Sequence, residues 1–172
     1  MELDRAIMER RSIRSYTSDD VPQRLVDEAL ELASWAPSAG NLQSRDFMVI
    51  RNQQTKDDLV VAALGQDFIA QAPVVIVAVA NLERVAHYGD RGRELYAIQD
   101  AAAAIQNLML ALHERGLGTV WVGAFDEKEA GRALGLPEHA RPVAILPVGY
   151  PAERPEPREH LPKKEYIHHE EW

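Results

Sequence analysis

The stretch Tyr96-Ala97-Ile98-Gln99-Asp100-Ala101-Ala102-Ala103-Ala104-Ile105-Gln106-Asn107-Leu108-Met109-Leu110-Ala111-Leu112-His113-Glu114-Arg115 decides how the rest of the chain is read. It reads as one long helix, and its middle, Ala101-Ala102-Ala103-Ala104-Ile105, offers almost no large polar side chain on any face. A helix apolar nearly all round must be buried nearly all round. A chain of 172 residues covers only part of such a helix, so a partner subunit is expected to cover the rest, with small alanines permitting close approach. A central core helix explains the same pattern, and the two readings overlap. Gly116 and Gly118 supply the C-terminal stop.

Residues 3–10 read as a short helix. A second helix begins near Asp20, an N-cap with Gln23 at capping-box spacing and Pro22 in the first turn. Its buried stripe is Leu25, Ala29, Leu32 and Ala33, and Pro37 ends it. Phe47-Met48-Val49-Ile50 is a strand; Thr55 with Asp58 caps a helix running to Leu64. Val74-Val75-Ile76-Val77-Ala78-Val79 is a continuous apolar run that suits a strand covered on both faces. Residues 81–94 read as a polar loop or partial helix. Thr119-Val120-Trp121-Val122-Gly123-Ala124-Phe125 is a further strand, Asp126 with Glu129 caps a helix that stops at Gly135, and residues 143–149 form the last core strand. Strands and helices mixed in this order give an α+β sandwich.

Residues 1–150 make one domain. Residues 151–172 change character: Pro151, Pro155, Pro157 and Pro162 lie among charges, which predicts an extended tail, either disordered or laid across another surface such as the partner's, with Tyr166, Ile167 and Trp172 as anchors. The chain has no cysteine, which excludes disulfides, cysteine-ligated zinc, iron–sulfur clusters and thiol catalysis, and agrees with a cytoplasmic setting. The charged start Met-Glu-Leu-Asp-Arg lacks the apolar run of a secretory signal. The best candidate membrane span, residues 101–112, carries Gln106 and Asn107 and is too short. A net charge of −8 and no broad basic face argue against nucleic acid as a partner. His168-His169 lacks a spaced partner motif for a metal and reads as surface. His113 reads as bonded to the last carbonyls of its helix. Gly116-Leu117-Gly118 ends a helix and is no dinucleotide fingerprint.

Against that acidic background, Arg10-Arg11-Ser12-Ile13-Arg14 packs three guanidinium groups and a hydroxyl into five residues. Arginine forks and a short hydroxyl donor suit the oxygens of one small anion; a solvated charged turn is the plainer account. Three stretches, in order, resemble the FMN-dependent nitroreductase family. They are this arginine cluster, then Ala36-Pro37-Ser38-Ala39-Gly40-Asn41-Leu42-Gln43, then the alanine-rich helix running through Gly116-Leu117-Gly118 to Trp121-Val122-Gly123-Ala124-Phe125-Asp126, with Gly149-Tyr150-Pro151 closing the core. The resemblance covers essentially the whole chain and looks like the compact archaeal and bacterial type.

The resemblance implies a nitroreductase-like sandwich with a mainly antiparallel central sheet flanked by helices, the long helix at a dimer interface and the tail crossing the partner. It implies an obligate homodimer holding two FMN molecules. Arg10 and Ser12 would bind the FMN phosphate, Arg11 would run along the phosphate or ribityl chain, and Arg14 would reach the pyrimidine side of the ring. Pro37, Ser38, Ala39 and Asn41 would come from the second subunit. Val122, Gly123 and Ala124 would run beside the ring, with a backbone N–H near Gly123 aimed at N5; Gln66 would meet its polar edge. Lys163 is taken to complete the phosphate site, with Arg158 and Lys164 competing for the place. No side chain acts as catalyst, because the flavin carries the chemistry: NADH or NADPH gives hydride to N5, and a nitroaromatic, quinone or flavin-like acceptor takes it in a ping-pong cycle. The same fold also serves enone reduction, reductive dehalogenation and flavin fragmentation, and a flavin carrier without efficient turnover is the rival from another class. Tyr88, Arg91 and Arg93 would contact substrate above the ring or stay solvated. Gln43-Ser44-Arg45 departs from the Gln-Pro-Trp of many relatives, removing a large ring near the dimer surface and adding a charge; Gly123 stands where several relatives carry an acid.

Overall fold

The computed structural model describes residues 2–172. Four strands, β1 (Arg45–Ile50), β2 (Val74–Asn81), β3 (Gly118–Thr119) and β4 (Ala140–Gly149), form one antiparallel sheet in the order β1-β2-β4-β3. Every residue of β2 is buried, as its unbroken apolar run requires. Its side chains alternate between two cores. Val74, Ile76 and Ala78 face α2 (Gln23–Ser34) and the long helix α6 (Ala97–Glu114). Val75, Val77 and Val79 face α3 (Gln53–Ala62) and α7 (Glu127–Leu134). The α1 helix (Leu3–Glu9) packs on α6, α4 (Phe68–Gln71) leads into β2, and the short α5 (Gly89–Arg91) lies just before α6.

Several local readings are corrected. Asp20 does not cap α2, which starts after Pro22 without a side-chain cap; its carboxylate pairs with Arg51 at 3.0 Å. Leu32 is half-exposed, and Val26 takes its place in the buried stripe with Ala29 and Ala33. The α2 helix ends at Ser34, before Pro37. Asn52, not Thr55, caps α3, its side-chain oxygen accepting from Thr55 N–H at 3.0 Å. Asp126 caps α7 as the spacing predicted, accepting from the N–H groups of Lys128 and Glu129, and Gly135 closes that helix at φ +64°.

The strand expected over residues 119–125 shrinks to β3 plus an isolated bridge between Val122 and Ile145. The cause lies on β4. Ile145 exchanges both backbone hydrogen bonds with Val122. Two residues on, Pro147 turns the same way and has no N–H to give. Its carbonyl goes to the Tyr16 hydroxyl at 3.2 Å, which also donates to Ile13 O at 2.6 Å. Burial pushes the Tyr16 phenol well above its ordinary range, so that hydroxyl keeps its proton.

The long helix is continuous with turns that precede it. From Ala86 to Glu114 the helical run covers 29 residues, so the expectation that this stretch is too short for a membrane span is corrected on length and composition. Half of its apolar stretch is buried against α2 and the sheet, as in a core helix. Ala97, Ala101, Ala104, Ile105, Leu108 and Leu112 face inward, whereas Ala102, Ala103, Asn107 and Leu110 are only partly covered and Gln106 is exposed. Arg45 is not a surface charge; it is 6% exposed, and its guanidinium donates to the carbonyls of Ser34 and Ala36.

The segment from Arg10 to Tyr16 runs beside the free edge of β3. Ser12 bridges Thr119 in parallel, Ile13 N–H donates to Thr119 O at 3.1 Å, and Thr17 N–H to Tyr150 O at 2.9 Å. Gly118 makes that approach possible, since a Cβ there would sit 2.8–3.0 Å from three atoms of the Ile13 side chain. Gly118→Ala is therefore expected to lower stability by about 1–3 kcal/mol, read from denaturant midpoints. An unchanged midpoint would show that Ile13 is not clamped there.

Candidate functional site

Two groups of candidate residues occupy two places. The first gathers at the β3 edge, where Arg10, Arg11, Ser12 and Arg14 follow one another along the stitched segment. Arg11 turns back to donate to Met8 O at 2.7 Å and Arg10 O at 3.0 Å. The Arg14 guanidinium carbon lies 6.0 Å from the centre of the Phe68 ring, the outer limit of a cation–π contact. Gln66 bridges Ala63 O at 3.0 Å and Ala124 O at 3.1 Å, so it fixes the backbone after Val122. Gly123 and Ala124 are exposed there, and Gly123 meets only the Trp121 indole, 3.8 Å from where a Cβ would stand. A larger residue would fit at Gly123 without a clash.

Arg10 is the telling side chain. Its Nη1 is buried and has no hydrogen-bond partner among the described residues, as do His113 Nε2 and Thr119 Oγ1. All three residues line a cavity of about 640 Å³ closed partly by the tail at Glu153 and Pro155. A guanidinium N–H left unpaired out of water is costly. Arg45 Nη1 is left in the same state away from either cavity, so what singles out Arg10 is that its unpaired donor lies with other donors at a cavity an anion could enter. A second, adjoining cavity of about 730 Å³ is lined by Arg10, Ser12, Arg14, Arg158 and His160 among others. It puts four segment residues, Arg10, Arg11, Ser12 and Arg14, and two tail residues, Arg158 and His160, around one space whose wall also includes Glu153 and Glu156. Lys163 lines neither cavity; it lies on a 3-10 turn at Lys163–Glu165, and Arg158 with His160 stands where a tail cation was sought. Glu153 anchors this part of the tail by accepting from the N–H groups of Arg14 and Ser15.

The second group lies at the other end of α6. Ala39 N–H donates to Asp100 Oδ1 at 2.9 Å, and Ser38 Oγ accepts from Gln43 N–H at 3.0 Å. Pro37, Gly40 and Asn41 are exposed. Asp100 opens the helix, whereas Arg10 shares a cavity with Met109 and His113. Nine to thirteen residues at 1.5 Å each place the two groups about 14–20 Å apart along one chain. Within one chain, Pro37, Ser38, Ala39 and Asn41 do not join Arg10 and Ser12.

Sequence reasoning missed Asp100, His160 and Phe68. Asp100 was detectable as a carboxylate set directly before the run of four alanines, far from the other carboxylate, Glu114, that ends the helix. His113 was misread: its Nε2 reaches no helix carbonyl, and burial, then Arg10, pulls its pKa below the ordinary value. Tyr88 and Arg91 sit in the turns before α6, where Tyr96 receives the Arg91 N–H at 3.0 Å. No metal-holding cluster of His, Asp or Glu occurs among the described residues, and His168 stacks on Trp172 at 4.5 Å.

Comparison with known proteins converges on one family. The sequence model of the Nitroreductase family matches residues 7–66 and 60–150. A NADH dehydrogenase of Thermus thermophilus is 38% identical over 94% of this chain and 93% of its own length. An FMN reductase [NAD(P)H] of Bacillus subtilis is 31% identical over 99% of this chain and 74% of its own length. The solved structure of the hypothetical oxidoreductase YcnD from Bacillus subtilis superposes with a TM-score of 0.91 at 30% identity, covering 98% of this chain and 74% of that one. The chain belongs to the nitroreductase family, which makes it an oxidoreductase.

The His113 shift has a measurable consequence. Its folded pKa lies below the unfolded value of 6.5, so between the two the unfolded chain binds more protons. Stability tied to neutral His113 is present above that range and lost as pH falls through it. Urea midpoints at about pH 5.5 and about pH 7.5 should differ in the unchanged apo protein and differ less in His113→Gln. Equal pH dependence in both would place the titration elsewhere.

Proposed function

We propose that the chain is an FMN-dependent NAD(P)H oxidoreductase acting as a twofold homodimer with two shared sites. The observation that carries this reading is the unpaired, buried Arg10 guanidinium N–H beside a cavity that also takes in Ser12, Arg14, Arg158 and His160. A phosphate dianion needs several charge-assisted donors from one place, and this set provides them in a chain of net charge −8. Bound FMN would supply the hydride-accepting ring, so the protein needs no side-chain nucleophile. What remains for the protein is to hold, orient and shield.

Each residue has a task in that scheme. Arg10, Ser12 and Arg158 hold the phosphate. Arg14, seated near Phe68, presents positive charge to the ring edge that becomes electron-rich on reduction. Gln66 holds the Ala124 carbonyl and with it the backbone of Val122 and Gly123 beside the ring. Ser38 and Asn41 reach the site of the other subunit, which the separation along α6 requires if they are to take part at all. The half-covered strip of α6 and the exposed Leu3, Ile7 and Met8 of α1 supply apolar surface for such a partner. The tail, with Leu161, Tyr166, Ile167 and Trp172 exposed on its own domain, supplies more. The acceptors of this reading are nitroaromatics, quinones or flavin-like molecules; relatives named as nitroreductase and FMN reductase support the first and the last.

A visible spectrum of purified protein, reconstituted with FMN, before and after anaerobic NADH tests the core of the proposal. Flavin bands that bleach are expected; a protein that never takes up FMN would overturn it. In Arg10→Ala/Ser12→Ala, retention of FMN through gel filtration should fall by roughly tenfold or more, as expected for losing charge-assisted bonds to a dianion. Unchanged retention would remove the phosphate-site assignment.

A further inference from the structure

The turn that carries Ser38 and Asn41 is held in an unusual backbone shape by one buried carboxylate. Gly40, Asn41 and Gln43 all sit at positive φ, +57°, +56° and +51°. Two of these are not glycine, and such residues persist only where the surroundings over-determine them. At Gly40 itself a Cβ would stand 2.5 Å from the Tyr88 hydroxyl, so the turn is also pressed against the segment before α6.

Asp100 does the determining. It is 4% exposed, and its two oxygens accept three hydrogen bonds from the flanks of the turn. Oδ1 takes Ala39 N–H at 2.9 Å; Oδ2 takes the Ser44 hydroxyl at 2.6 Å and Ser44 N–H at 3.4 Å. Two arginines also hold this part of the chain by its carbonyls: Arg45 grips Ser34 and Ala36 before the turn, and Arg84 grips Gln43 at 2.8 Å and Arg45 at 3.0 Å at its end. Within the turn Ser38 Oγ accepts from Gln43 N–H, which leaves its own proton free to be donated outward. The carboxylate sits on the rigid long helix, so the turn takes its position from α6 and not from its own sequence.

The geometry points to Asp100 as the positioning residue of the shared site: it sets the Ser38 and Asn41 turn of one subunit against the flavin held by Arg10 and Ser12 of the other. This inference rests on the FMN dimer reading. It assigns Asp100 no contact with the cofactor and makes its effect appear in the partner's site.

Subunit complementation tests this directly. Asp100→Asn turns one accepting oxygen into a donor that faces donors, and FMN affinity by fluorescence titration should weaken roughly tenfold or more, with the far-ultraviolet circular dichroism unchanged. Differently tagged copies of Asp100→Asn and Arg10→Ala/Ser12→Ala are then coexpressed and purified through both tags. Acting across the interface, both defects fall in one site and leave the other intact, so about one tightly bound FMN per mixed dimer is expected, where either homodimer has none. No tight site in the mixed dimer would mean that Asp100 acts within its own subunit, and would overturn the proposal. Tight FMN in the Asp100→Asn homodimer would overturn it too, while leaving the functional reading standing. An unchanged protein that binds no FMN removes the functional reading first. Should Asp100→Asn fail to accumulate folded, Ser44→Ala takes its place in the same mixed dimer, under the same outcomes.

Discussion

Everything in this fold answers to the burial of α6. A helix whose inward face is Ala97, Ala101, Ala104, Ile105, Leu108 and Leu112 gains its stability from being covered, and α2 and the sheet cover that face. Once seated, the helix is a rigid rod about 27 Å long. Its first turn carries Asp100, and through Asp100 the turn of Ser38 and Asn41. Its C-terminal half shares a cavity with Arg10 through Met109 and His113. The two halves of the candidate site are thus set at a fixed separation by a helix that cannot bend to bring them together.

The arginine segment is placed by a different constraint. A sheet edge exposes unpaired N–H and C=O groups, and β3 is a two-residue edge strand cut short because Pro147 offers it no donor. The segment from Ser12 to Thr17 takes up that edge, with Tyr16 bonding the Pro147 carbonyl. Edge pairing fixes the backbone beside the cavities, and the side chains at Arg10, Ser12 and Arg14 follow from it. An anion site built on paired backbone keeps its donors in place before any anion arrives.

The local readings that failed share a cause. Asp20 and Thr55 have capping chemistry at capping spacing, yet Arg51 claims the first and Asn52 stands one turn earlier than the second. Spacing shows what a side chain can bond to, not what competes for it. The residues 119–125 look like a strand because Val120 and Val122 alternate, but pairing is a property of two strands, and the partner strand carries Pro147. Lys163 and Arg158 are equivalent as charges in a proline-rich tail; only the path of the tail, tied at Glu153 and Ala152, brings Arg158 and His160 to the cavity.

By itself the sequence determined the cores and the chemistry on offer. The unbroken run of β2 demands cover on both faces, the apolar helix demands burial, and the cluster of arginines in an acidic chain demands an anion or solvent. Those are consequences of solvation, which acts on each stretch according to its own side chains. Tertiary structure alone decided which donors stand together. It left Arg10 Nη1 without a partner, buried Arg45 and Asp100 at the foot of the turn, and kept that turn about two to four helical turns from the arginines. Hydrogen bonding is directional and short in reach, so its partners are chosen only when packing has fixed which groups lie within about 3 Å of each other.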